Sequence, residues 1–87
     1  MARVEVKLTT TWQEVVVQDL NYLIQLKKGN SKGEKFLAAN ASSIPTDSLG
    51  FELAANDTLS SIVYPSIDGI WARAKDHDVT ILVDSWV

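Results

Sequence analysis

Apolar and polar residues alternate along much of the chain, which is the period of a half-buried β-strand. The alternation is clearest at residues 3–8 and 70–74, and residues 79–83 form a run rich in β-branched side chains. Shorter apolar stretches at 36–39 and 51–53 are separated by Gly, Pro, Asn and Asp, which favour turns. This spacing of short apolar segments and turn-forming residues predicts an all-β domain. We expect a small sandwich or barrel-like fold of about seven to eight short antiparallel strands.

The apolar positions of these strands predict the core. We expect the whole chain of 87 residues to form a single β domain. Its core is predicted to contain Val4, Val6, Leu8, Tyr22, Ile24, Phe36, Leu53, Trp71, Ile81 and Val83.

Residues 12–28 fit either a helix or a pair of strands. Thr11 and Glu14 have the spacing of a helix capping box, and several apolar residues recur near helical spacing. However, residues 15–17 are consecutive valines, which lose side-chain freedom in a helix, and residues 19–21 form a plausible turn. Because the rest of the chain has β character, we favour two strands.

Composition and charge exclude several classes of function. The formal net charge is −3, which argues against binding nucleic acid or anionic lipid through bulk charge. The chain has no cysteine and one histidine, so it can form neither a disulfide scaffold nor a multi-histidine metal site. No stretch approaches the roughly 20 apolar residues of a membrane span, and the N-terminus lacks the apolar segment of a signal peptide. We therefore predict no cofactor, no metal, no membrane partner and no direct nucleic-acid contact.

Residues with catalytic potential do not form a known constellation. His77 lies between Asp76 and Asp78, but in an extended segment neighbouring side chains point to opposite faces, so the two carboxylates do not both orient the imidazole. No serine lies in a Gly-x-Ser-x-Gly turn, and the glycines at 29 and 33 lack the Lys-Ser/Thr of a phosphate-binding loop. These observations predict a protein that is not an enzyme and has no catalytic residues.

Tryptophans and lysines are the candidates for contacts with other molecules. A tryptophan can fill a core, anchor an interface or form a platform for a sugar. Trp86 lies one residue from the C-terminus, where a chain usually frays, so we expect it to be held by its own domain or by a neighbouring chain. Residues 27–35 are rich in lysine and fit either a solvated hairpin tip or a basic patch for an acidic partner. The predicted contact residues are Trp12, Lys27, Lys28, Lys32, Lys35, Trp86 and Val87.

The order of these features resembles a class of small β-structured proteins encoded among bacteriophage virion genes. The resemblance covers roughly residues 7–83. It rests on a Thr-Trp-x-x-Val element, a Tyr-Leu-Ile-Gln strand, an Ala-x-x-x-Pro loop, a Gly-x-x-Leu element, a Trp-Ala-Arg strand and a Val-rich last strand, at residues 11–15, 22–25, 41–45, 50–53, 70–74 and 79–83.

This resemblance implies a structural role in a phage particle. The chain would be made in the bacterial cytoplasm and would reside in the virion as a capsid decoration protein, a head-fibre protein or a tail component. Its partners would be other virion proteins, and members of this class are often trimers, so a homo-oligomer is expected. Two alternatives stay open: a glycan-binding β-module that uses exposed Trp12 or Trp71, and a small adaptor domain in which residues 12–28 form a helix.

Overall fold

The computed structural model describes residues 2–27, 34–46, 50–54 and 57–87. In these ranges the chain forms eight strands and no helix, which confirms the predicted all-β class. The strands are β1 (Ala2–Leu8), β2 (Gln13–Val16), β3 (Asn21–Leu26), β4 (Phe36–Asn40), β5 (Phe51–Leu53), β6 (Thr58–Ser60), β7 (Ile70–Ala74) and β8 (Val79–Trp86).

The strands form two four-stranded sheets in which every pairing is antiparallel. Sheet A has the order β1-β8-β3-β6, and sheet B has the order β2-β7-β4-β5. The buried apolar side chains of both sheets belong to one cluster, so the sheets pack face to face as a small β-sandwich. The strands at the edges are β1 and β6 in sheet A and β2 and β5 in sheet B.

The segment whose sequence fits either a helix or two strands forms the strands β2 and β3. β2 and β3 lie in different sheets and are joined by a tight turn in which Asp19 has a φ of 68°. Aspartate tolerates this left-handed conformation better than most residues. The helical alternative is therefore wrong, because pairing with β7 and with β8 satisfies these backbones and Val16 is buried in the core.

One hydrophobic cluster lies between the sheets. Seven of the predicted core residues belong to it: Leu8, Tyr22, Ile24, Phe36, Leu53, Ile81 and Val83. Its other members are Val16, Leu26, Ala38, Leu59, Ile70, Ala72, Ala74 and Val79. The alanines lie opposite one another where β4 pairs with β7, at Ala38 and Ala72, so small side chains occupy the centre of sheet B.

Three predicted core residues are less buried than expected. Val4 is 52% exposed, although it shares the inner face of β1 with Leu8, because β1 is an edge strand. Val6 is partly buried and packs against the cluster. Trp71 is half-buried and belongs to the outer face of sheet B, since its neighbours Ile70 and Ala72 are the buried positions of β7. The predicted strands are correct, but alternation along a strand does not determine which of the two faces of that strand is buried.

Candidate protein-contact surface

The sandwich has two ends that differ in chemistry. At one end β2, β4, β6 and β8 finish and β1, β3, β5 and β7 begin, as the antiparallel registers require. The turn between β2 and β3 and the connection between β6 and β7 join the two sheets there. The turn between β7 and β8 lies at the opposite end.

Exposed apolar side chains gather at the first of these ends. Every large apolar side chain that is exposed in the described ranges lies in a loop there or in the nearby part of a strand. Ile62 and Val63 are the clearest, at 92% and 81% exposed. The set, here called the apolar end, consists of Val4, Val17, Ile44, Phe51, Ile62, Val63, Ile67, Trp86 and Val87. A single exposed aliphatic residue is ordinary, whereas such a concentration is typical of a binding surface.

Backbone and side-chain hydrogen bonds hold the loops of the apolar end together. Ser66 is buried, and its hydroxyl donates to the carbonyl of Leu20 at 2.5 Å. The carbonyl of Ser66 accepts hydrogen bonds from the amides of Asp19 at 2.7 Å and Gly69 at 3.3 Å. These bonds join the turn after β2 to the segment before β7. The loops that carry Val17 and Ile67 are thereby fixed relative to each other.

The two tyrosines link the same end to the core. Tyr22 is fully buried, and its hydroxyl donates to the carbonyl of Tyr64. The hydroxyl of Tyr64 in turn accepts a hydrogen bond from the amide of Asn40 at 2.8 Å. The ring of Tyr64 also meets the ring of Phe51 edge to face, with centroids 4.5 Å apart. Burial raises the pKa of Tyr22 well above its ordinary range, with a smaller contribution from Tyr64.

A groove runs beside the apolar end between the short edge strands β5 and β6. Its volume is about 550 Å³, and Leu53, Leu59, Phe51, Val63 and Tyr64 contribute its apolar lining. The groove is continuous with the apolar end because Phe51 and Val63 belong to both.

The charges nearest the apolar end are mostly acidic. Asp19 and Asp68 are exposed in its loops, and the carboxylate of Glu14 reaches to within 2.7 Å of the point where a Cβ on Gly69 would lie. We call Glu14, Asp19 and Asp68 the acidic rim. Arg3 is the basic side chain near this end in the described ranges, and it is engaged by Asp84.

Arg3 and Asp84 form a bidentate salt bridge on the outer face of sheet A. The guanidinium donates to both carboxylate oxygens of Asp84, at 2.8 and 3.0 Å. The Asp84 side chain is 8% exposed, so the pair is shielded on one side. Hydrogen bonding from Arg3 lowers the pKa of Asp84 below its ordinary range, and the same bond raises the pKa of Arg3.

The predicted lysine contacts lie at the opposite end and are engaged within the chain. Lys27 forms an ion pair with Glu5 at 2.7 Å, and Lys35 forms one with Glu52 at 3.1 Å. Glu52 also pairs with Lys75, and hydrogen bonds from both lysines lower its pKa. Two further predicted contact residues, Lys28 and Lys32, lie outside the described residues.

The tryptophans have three different environments. Trp12 is 7% exposed and lies against the outer face of sheet B, where the guanidinium carbon of Arg73 is 5.6 Å from the centroid of its ring. Trp71 is half-buried, and its indole N–H donates to the carbonyl of Ala41 at 2.9 Å. Trp86 is the last residue of β8, is 37% exposed and pairs with Asn21 of β3. The structure thus brings the predicted contact residues Trp86 and Val87 to the apolar end, but not Trp12.

The sequence reading missed the loop residues of the apolar end. These include Ile62 and Val63, which lie in a turn after β6. A local signal exists, because both residues fall just before Tyr64-Pro65-Ser66, a turn-rich stretch. Apolar residues inside a turn are exposed unless another element covers them.

Residues with catalytic or metal-binding chemistry are dispersed. His77 lies in an exposed turn between β7 and β8, together with Asp76 and Asp78. Within the described ranges, no three His, Asp or Glu side chains are arranged to hold a metal ion. The same ranges contain no helix with the length and apolarity needed to cross a bilayer.

Comparisons with protein-family models, with curated proteins and with solved structures find no match to this chain. Its function must therefore be argued from its own surface.

Proposed function

We propose that this chain is a non-enzymatic assembly protein that docks on another protein through the apolar end. The observation that carries the proposal is the collection of exposed apolar side chains at that end, with Ile62 and Val63 almost fully exposed. Covering one aliphatic side chain contributes about 1.5–3 kcal/mol. A few such side chains are enough to anchor a specific contact, because a small group of residues usually dominates binding.

The charge around the apolar end indicates the chemistry of the partner. The acidic rim of Glu14, Asp19 and Asp68 favours an apolar patch bordered by lysine or arginine. An anionic membrane would be repelled by the same rim. The resemblance to phage virion proteins supplies the setting, so we propose a capsid or tail protein as the partner and the virion as the location.

The placement of the tryptophans does not favour the glycan-binding alternative. A sugar platform needs an open aromatic face, whereas Trp12 is 7% exposed and Trp71 is half-buried. Trp86 has more open surface, at 37% exposed, and is the tryptophan that the test below examines for sugar binding.

Binding to phage particles assembled without this chain tests the proposal. We expect the double variant Ile62→Ser/Val63→Ser to bind at least tenfold more weakly in co-sedimentation, because about 1.4 kcal/mol corresponds to tenfold. Both side chains are exposed, so the variant should unfold at nearly the wild-type temperature. The matched control Asp76→Ser/His77→Ser changes two exposed residues at the opposite end and should bind as wild type.

Two outcomes would contradict the proposed docking surface. Either the apolar double variant binds as tightly as wild type, or the control weakens binding to the same extent. Added oligosaccharide that displaces the wild-type protein from particles, and protects Trp86 from acrylamide quenching, would favour the glycan alternative instead.

A further inference from the structure

In the part of the chain that the structure describes, strand β1 has one edge that pairs with no other strand. All seven of its residues pair with β8, and β1 is the last strand on that side. Its other edge therefore presents backbone N–H and C=O groups that a further strand could satisfy. We infer that β1 pairs with β1 of a second copy of this chain, antiparallel, around a twofold axis at Val6.

The charges on β1 select this register. With the axis at Val6, Glu5 faces Lys7 of the second copy, and Lys7 faces Glu5 of the second copy. An axis at Glu5 would instead place Glu5 against itself and Arg3 against Lys7, which sets like charges together. Opposite charges directly across an antiparallel pair stabilise it, and like charges destabilise it.

Burial of apolar surface points to the same register. An axis at Val6 places Val4 across from Leu8 of the second copy and Val6 across from its own counterpart. Val4 is 52% exposed although it lies on the inner face of β1, so the second copy covers a side chain that this domain leaves open. An axis at Val4 also matches Arg3 with Glu5, but it leaves Lys7 and Leu8 without partners among the described residues.

Charges on an edge strand often serve to prevent pairing. An edge strand whose charges all have the same sign repels a copy of itself. On β1 the signs alternate in the order Arg3, Glu5, Lys7, so a second copy in the Val6 register is attracted. This inference does not depend on the proposed docking function, because a twofold axis perpendicular to sheet A points the two apolar ends in opposite directions and covers only Val4 of each.

Charge-reversal variants test the pairing by sedimentation velocity over a range of concentrations. Glu5→Lys places lysines opposite lysines, and Lys7→Glu places glutamates opposite glutamates, so each variant should raise the dimer dissociation constant by about tenfold or more. Mixing the two variants restores opposite charges at both positions, and we expect heterodimers of near wild-type affinity. The control Asp68→Lys makes the same charge change at the apolar end and should dimerise as wild type.

The mixing result separates pairing from misfolding, since variants that fail to fold cannot rescue each other. Far-ultraviolet circular dichroism of each variant provides a second check. The inference is overturned if wild type stays monomeric at its solubility limit, if it sediments as a trimer, or if the mixture of the two variants stays monomeric. It is also overturned if Asp68→Lys dissociates the dimer while Glu5→Lys does not, because self-association would then use the apolar end.

Discussion

Replacing Tyr22 with phenylalanine removes the hydroxyl that joins the core to the segment between β6 and β7. The ring of Tyr22 is fully buried, and its hydroxyl donates to the carbonyl of Tyr64. Tyr22→Phe keeps the ring but leaves that carbonyl without this donor. Such a loss costs about 1–3 kcal/mol in the free energy of unfolding. For a domain of this size, each kcal/mol corresponds to roughly 4–8 °C in the unfolding temperature.

Urea and thermal unfolding, followed by tryptophan fluorescence and circular dichroism, measure this effect. The control Thr10→Val removes an exposed hydroxyl at the opposite end and should change stability little. An unchanged midpoint for Tyr22→Phe, within the scatter of the control, would refute the structural role given to this hydrogen bond.

The pH dependence of Tyr22→Phe gives a second measurement with a definite sign. Burial raises the pKa of Tyr22 in the folded protein, so the folded state holds this proton more tightly than the unfolded state. The stability that depends on the neutral tyrosine is complete below its unfolded pKa, about 10, and is lost as pH rises above it. Wild type should therefore lose more stability than Tyr22→Phe between about pH 9 and 11. Parallel curves would show that the hydroxyl is solvated in the folded state.

Three further predictions concern a turn, the core and the shielded ion pair. Gly69→Ala should destabilise the domain by about 1–3 kcal/mol in urea unfolding. Gly69 has a φ of 106°, and a Cβ there would lie 2.7 Å from the carboxylate of Glu14. A variant as stable as wild type would refute the claim that this turn requires glycine. Phe36→Ala should lower the free energy of unfolding by about 3–5 kcal/mol. Val4→Ala should change it by no more than about 0.5 kcal/mol, measured in protein too dilute to self-associate. Equal losses for the two variants would show that Val4 belongs to the core. Asp84→Asn should flatten the acid side of the stability curve: the lowered pKa of Asp84 gives stability that is present above its unfolded pKa and is lost as pH falls through the folded value. Identical acid curves for wild type and Asp84→Asn would show that the Arg3 pair contributes nothing.

Local sequence patterns were sufficient to predict the all-β class and most of the strands. Alternation at β1 and β7 and the β-branched run in β8 are local signals, because side chains on a strand point to opposite faces in turn. The same signals found Tyr22, Ile24, Phe36 and Ile81 in the core. Tertiary structure decided which face of an alternating strand is buried. It turned Ala72 inward and Trp71 outward, a choice that depends on the opposing sheet and that no local pattern contains.

The location of the apolar end depended on tertiary structure even more strongly. Val17, the segment from Ile62 to Ile67, and Trp86 come from three distant parts of the chain, and the antiparallel strand order brings them to one end of the sandwich. The sequence predicted Trp86 and Val87 as contacts because a tryptophan near a terminus needs an anchor. It could not find the loop residues, because an apolar residue in a turn has the same local pattern whether another element covers it or not. Only the positions of both sheets determine whether it remains exposed.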